Sequence, residues 1–145
     1  IKRITEKLKN KKHIYRFYFI TKKPMRIFLE YIRNCDVMLD PYPFGGCNTS
    51  FEGFFLGKPI ITMPSDYING RFTYGLYKKM GISNLITDNY DDYIKKALKC
   101  GKNKKYRNSI SKKILEQQHL LFNEQKSIDD WDNMLKNMFN EYYYI

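Results

Sequence analysis

The sequence predicts an α/β fold: a Rossmann-like parallel sheet with helices on both faces, closed by carboxyl-terminal helices. Three observations predict it. Short apolar runs of strand composition alternate with segments whose apolar residues recur at helical spacing. Glycines and prolines punctuate the joins. From Tyr90 onward the pattern is helical. At 145 residues the chain is one domain's worth, so residues 1–145 read as a single domain.

Taken in order, residues 2–12 are Lys-rich and read as the tail of a helix. His13 to Ile20 (HIYRFYFI) is aromatic and β-branched, the composition of a strand. Thr21 to Pro24 is a polar turn, and Met25 to Asn34 carries Ile27, Phe28, Tyr31 and Ile32 at helical spacing. Asp36 to Asp40 (DVMLD) reads as a short buried strand ending in a carboxylate. Pro41 to Cys47 (PYPFGGC) breaks regular structure with two prolines and two glycines. Asn48, Thr49 and Ser50 suit the N-cap of a helix through Leu56, which Gly57 stops. Lys58 to Pro64 (KPIITMP) is another buried strand, Ser65 to Gly70 a loop, and Arg71 to Met80 a helix closed by Gly81. Asn84 to Thr87 reads as a brief strand. Three helices follow: Tyr90 to Cys100, Lys104 to Phe122, and Ser127 to about Tyr143.

Composition narrows the function classes. Hydrophobic content of 43% suffices for a core, yet no run approaches the roughly 20 apolar residues of a membrane span. No secretory signal opens the chain. Cys35, Cys47 and Cys100 lie far apart without CxxC spacing and read as reduced thiols, which places the protein in the cytoplasm. His13 and His119 stand away from them, so no metal site is expected. The net charge of +11 favours an anionic partner. Scattered surface lysines account for the same excess, among them Lys2, Lys7, Lys9, Lys104 and Lys113. A nucleic-acid partner would need a continuous basic face with exposed aromatics, and is not expected.

One stretch carries chemistry: Leu39-Asp40-Pro-Tyr-Pro-Phe-Gly-Gly-Cys-Asn-Thr-Ser-Phe-Glu52. A strand ends, a Gly-rich turn follows, and a helix starts. Ligands of doubly wound sheets bind beyond the carboxyl ends of strands. Gly45 and Gly46 let backbone approach a ligand, and the N–H groups of Asn48, Thr49 and Ser50 lie at a positive helix end suited to phosphate. The Thr49 and Ser50 hydroxyls add donors, and Glu52, one turn in, can accept from ribose hydroxyls. The stretch reads equally as a tight, well-capped strand-to-helix turn. It matches neither a Walker loop nor GxGxxG.

As a block the residues resemble the carboxyl-terminal half of the O-GlcNAc transferase family, above all its bacterial and viral relatives fused to tetratricopeptide repeats. The likeness runs from about His13 to Phe122. It is strongest over DVMLDPYPFGGCNTSFEGFFLGKPIITMP, then NGRFTYGLYKKMGISNLIT and DDYIKKAL. The resemblance implies a GT-B fold, two Rossmann-like domains with the substrate cleft between them. The carboxyl-terminal domain then binds a UDP-sugar, with no metal and no other cofactor. It implies a diphosphate role for Asn48 and Thr49 and a ribose role for Glu52. Phe28 falls where an aromatic ring meets uracil, and Lys23 where a backbone group reads the uracil edge. Met25 and Tyr31 replace a lysine and an arginine of the animal enzymes. By its place on an apolar helical face, Phe28 reads as core.

Arg71 serves the sugar-phosphate or staples its loop. Asp91-Asp92 and Asp129-Asp130-Trp131-Asp132 imitate a DxD metal site but are expected at helix starts, where carboxylates cap. No general base is evident, and the family's acceptor domain would precede Ile1. The chain opens at Ile1 rather than Met and is expected to be a carboxyl-terminal fragment of a longer two-domain enzyme. The expected function is a glycosyltransferase donor domain for UDP-GlcNAc or a UDP-hexose, acting on protein Ser/Thr or Asn. It would need an amino-terminal acceptor or tetratricopeptide half in cis or in trans. A non-catalytic nucleotide-binding module and a basic nucleic-acid-binding domain are the alternatives.

Overall fold

The computed structural model describes Glu6, residues 16–122 and residues 124–143. The chain divides into two compact units, Ile1–Tyr31 and Ile32–Ile145.

In the first unit, residues 17–24 are irregular. The strand expected over His13 to Ile20 is therefore absent from its described part. Residues 2–5 and 7–15, which take most of the expected amino-terminal helix, lie outside the described residues. Phe17, Tyr18, Phe19 and Ile20 are all exposed, and among the described residues no strand pairs with them to hold their strand-forming composition. Helix α1, Met25–Asn34, begins behind Pro24, whose carbonyl accepts the Phe28 N–H at 3.1 Å. It runs on into the second unit. At its end the Lys58 ammonium donates to the carbonyls of Arg33 and Cys35 at 2.6 and 3.0 Å, which satisfies orphan acceptors of a helix terminus.

The second unit is mostly helical around a small parallel sheet. Strand β1, Met38–Leu39, pairs in parallel with β2, Ile60–Ile61, with Met38 opposite Ile60 and Leu39 opposite Ile61. A parallel bridge joins Thr62 to Ile86. The three strands expected in this unit therefore fall in the expected order, each shorter than its apolar run. Proline sets part of that limit: Pro59 and Pro64 bracket β2 and have no N–H for a ladder. Between the strands run α2, Asn48–Phe55, and α3, Phe72–Lys79. Gly57 at φ +67° and Gly81 at φ +68° end them in the left-handed region that favours glycine. A Cβ on Gly57 would also strike Leu115 at 2.7 Å.

Three helices close the chain: α4, Tyr90–Lys102; α5, Lys104–Gln117, followed by a 3₁₀ turn through Leu121; and α6, Gln125–Tyr143. Asn89 and Asn103 cap α4 and α5 by accepting from Asp92 N and Tyr106 N, each at 2.9 Å. The core joins Phe54, Ile60, Ile61, Tyr77, Leu85, Ile110 and Ile114. The Phe54 and Tyr77 rings meet edge to face at 4.7 Å. Among the described residues, no helix is long and apolar enough to cross a membrane.

Candidate functional site

The carboxyl ends of β1 and β2 meet around one buried carboxylate. Asp40 follows β1 directly and is 5% exposed. Its Oδ1 accepts the Gly46 N–H at 2.6 Å, and its Oδ2 accepts the Thr62 hydroxyl at 2.7 Å. Its own carbonyl accepts the Tyr93 hydroxyl at 2.8 Å. Burial, and then the nearby charge of Asp40, push the Tyr93 phenol up to about 12.

The glycines fit this carboxylate. A Cβ on Gly45 would lie 3.1 Å from both Asp40 oxygens, and one on Gly46 would lie 2.7 Å from Ser50 Oγ. Their N–H groups are engaged, Gly46 by Asp40 and Gly45 by the Asn69 carbonyl at 3.1 Å. The space that a Cβ would take at either glycine is thus filled by Asp40 and Ser50.

Helix α2 starts one residue earlier than expected. Cys47, with no side-chain cap bond, is its N-cap, because the Cys47 carbonyl accepts the N–H groups of Ser50 and Phe51 at 3.0 and 3.1 Å. Asn48, Thr49 and Ser50 are consequently first-turn residues. Ser50 is not a ligand donor: its N–H is spent on Cys47, and its buried hydroxyl meets Thr73 Oγ1 at 2.7 Å. Asn48 and Thr49 are exposed, and no described group accepts from their N–H groups. Glu52 is half-buried one turn further on, and no other described residue bonds its carboxylate. Gly45, Gly46, Asn48, Thr49 and Glu52 therefore share one strand-turn-helix segment.

Lys23 and Phe28 belong to the first unit. There Ile20, Thr21, Lys22, Lys23, Phe28 and Tyr31 line a cavity of about 280 Å³. Phe28 is half-buried on its wall rather than sealed in a core. In the second unit, Asp40, Pro41, Tyr42, Met63, Tyr90 and Tyr93 line a smaller cavity of about 150 Å³.

The other expectations divide. Arg71 donates to the Ser65 carbonyl at 2.9 Å and stacks its guanidinium over Tyr74 at 4.9 Å, so it staples the loop. Asp91 and Asp92 do stand in the first turn of α4, and Asp92 pairs with Lys96. Asp129, Asp130 and Asp132 do not start a helix, because α6 begins at Gln125. They bond Gln125, Lys126 and Lys136 one turn away along it. His119 contacts the Glu116 carbonyl on an exposed turn, and His13 lies outside the described residues. Cys35, Cys47 and Cys100 are free thiols, and burial raises the pKa of Cys35 and of Cys100. Sequence reading missed Thr62, Thr73 and Tyr93. The one available signal was a carboxylate closing a strand just before Gly-Gly.

The model of glycosyl transferase family 41 matches residues 20–130. The UDP-glucose:protein N-beta-glucosyltransferase of Actinobacillus pleuropneumoniae serotype 5b (strain L20) is 28% identical over 94 residues, 64% of this chain and 15% of that protein. The probable UDP-N-acetylglucosamine–peptide N-acetylglucosaminyltransferase SPINDLY of Solanum lycopersicum is 32% identical over 63 residues, 43% of this chain and 7% of that protein. A solved structure of a Thermobaculum terrenum O-GlcNAc transferase mutant superposes with a TM-score of 0.78 at 22% identity. That match covers 97% of this chain and 28% of the other. The chain thus spans less than a third of each of these proteins.

Proposed function

The chain belongs to glycosyl transferase family 41, and we propose that it is the donor-binding part of a protein glycosyltransferase of the O-GlcNAc transferase type, with a GT-B fold. The donor is a UDP-sugar, either UDP-GlcNAc or a UDP-hexose. The acceptor is a protein Ser/Thr hydroxyl or Asn amide. Asn48 and Thr49 hold the diphosphate through their N–H groups, Glu52 holds the ribose, and Lys23 and Phe28 serve uracil. Gly45 and Gly46 shape the turn from which the helix starts.

The observation that carries this reading is the start of α2. A helix begins beyond the carboxyl end of a parallel strand with two exposed residues, Asn48 and Thr49, whose N–H groups no described residue uses. Such groups stabilise phosphate oxygens by direct hydrogen bonds and by the positive end of the helix dipole. Catalysis also requires the acceptor to be oriented against the donor, and this falls to an amino-terminal acceptor half in cis or in trans.

Titration calorimetry with UDP, UMP and uridine tests the proposal. Affinity rises with each phosphate if the helix start binds them. Equal binding of uridine and UDP would falsify the phosphate role of this turn.

A further inference from the structure

We propose that Asp40 is a positioning residue for the diphosphate: its carboxylate fixes the turn that aims the Asn48 and Thr49 N–H groups. The inference rests on the UDP-binding reading above and assigns a role to a residue outside the ligand contacts.

Burying a carboxylate is costly unless hydrogen bonds satisfy it. A slot behind a strand end needs no charge for packing, since an apolar residue of similar size would fill it. Asp40 nevertheless sits there with both oxygens engaged, one by the turn and one by β2. The Thr62 hydroxyl orients the carboxylate from a position that is itself fully buried. The oriented Oδ1 then takes the Gly46 N–H along a single direction. On the other side of the same residue, the Gly46 carbonyl accepts Thr73 Oγ1 at 3.4 Å, and Thr73 also holds Ser50. Gly46 is therefore gripped at both its N–H and its carbonyl, one residue before the N-cap Cys47.

This grip sets where α2 begins and which way its first N–H groups point. Preorganised donors need placement within about 0.5 Å to keep their effect. The two glycines belong to the same device, because a side chain at either would push against Asp40 or Ser50.

The test uses the full chain, with UDP and uridine as probes and thermal melting as the control for folding. Asp40→Ala removes both bonds and is expected to weaken UDP about tenfold, the scale of one lost hydrogen bond to a charged group. Uridine binding stays within about twofold, since the phosphate contacts are what the turn aims. Asp40→Asn keeps an oxygen for the Gly46 N–H and an amide for Thr62 Oγ, so it retains the wild-type ratio of UDP to uridine affinity. A folded Asp40→Ala chain with the wild-type ratio overturns the proposal, as does an equal loss of UDP and uridine. Should Asp40→Ala fail to fold, Gly45→Ala carries the test: a folded Gly45→Ala chain with the wild-type ratio overturns it too. A wild-type chain that binds UDP and uridine equally overturns the underlying reading as well. A wild-type preference for UDP that survives Asp40→Ala overturns this proposal and leaves that reading standing.

Discussion

The Tyr77 hydroxyl lies 2.9 Å from both the N–H and the carbonyl of Ile60, accepting from one and donating to the other. A side chain from α3 thus supplies what a third strand would supply. The neighbouring segment pairs just after β2, at Thr62, two residues on from Ile60, where Leu85 and Thr87 take over the ladder. Tyr77 is fully buried, so water cannot substitute for it.

Tyr77→Phe keeps the ring against Phe54 and strands two buried backbone groups. The expected loss is about 2–3 kcal/mol of stability, within the range for unsatisfied buried polar groups. Urea unfolding checks it: the midpoint falls while the slope stays the same. A change within error would mean that the Ile60 groups find other partners.

This pair marks how far the fold was legible in the sequence. The order of elements follows from period and punctuation, because Gly57, Gly81, Pro59 and Pro64 are local signals read by local rules. Strand lengths were not legible. They depend on which backbone groups a distant side chain occupies, as Tyr77 does for Ile60. At the site, the turn and the helix start were visible from Gly45, Gly46 and Asn48. The engagement of both glycine N–H groups was not: Asn69 comes from 24 residues beyond Gly45, and the bond from Gly46 to the nearby Asp40 depends on how the intervening turn folds back. Residues 17–20 misled for a related reason: among the described residues their strand composition meets no partner strand.

Alkaline pH should weaken the fold through two tyrosines. Burial raises the Tyr77 phenol, and burial with the Asp40 charge pushes Tyr93 up to about 12. An unfolded tyrosine titrates near about 10. Below that pH both states hold the proton and nothing changes. Above it the unfolded chain gives up protons that the folded chain keeps, so stability falls as pH rises. Tyr93→Phe should flatten the fall between pH about 10 and about 12, measured as urea midpoints. An unchanged slope would show that Tyr93 titrates alike in both states.

Glu52→Ala should cost UDP binding about 1.5–3 kcal/mol, the range for hydrogen bonds to a charged group. The melting temperature should hardly move, since no other described residue bonds this carboxylate. Calorimetry on the folded variant decides. Unchanged UDP affinity would remove Glu52 from the site.

On the proposed function, these residues bind a donor and do not by themselves transfer its sugar. Orienting two substrates is worth several kcal/mol of a reaction barrier, on the order of 7–11 in favourable cases, and a donor-binding part orients one. The direct measurement is transfer of radiolabel from UDP-GlcNAc or UDP-glucose to protein acceptors. It is made with this chain and with the chain joined to an amino-terminal acceptor half. No transfer is expected from the chain alone, and transfer is expected from the reconstituted pair. Robust turnover by the isolated chain would contradict this and make His13, His119 and Asp40 candidates for the catalytic groups.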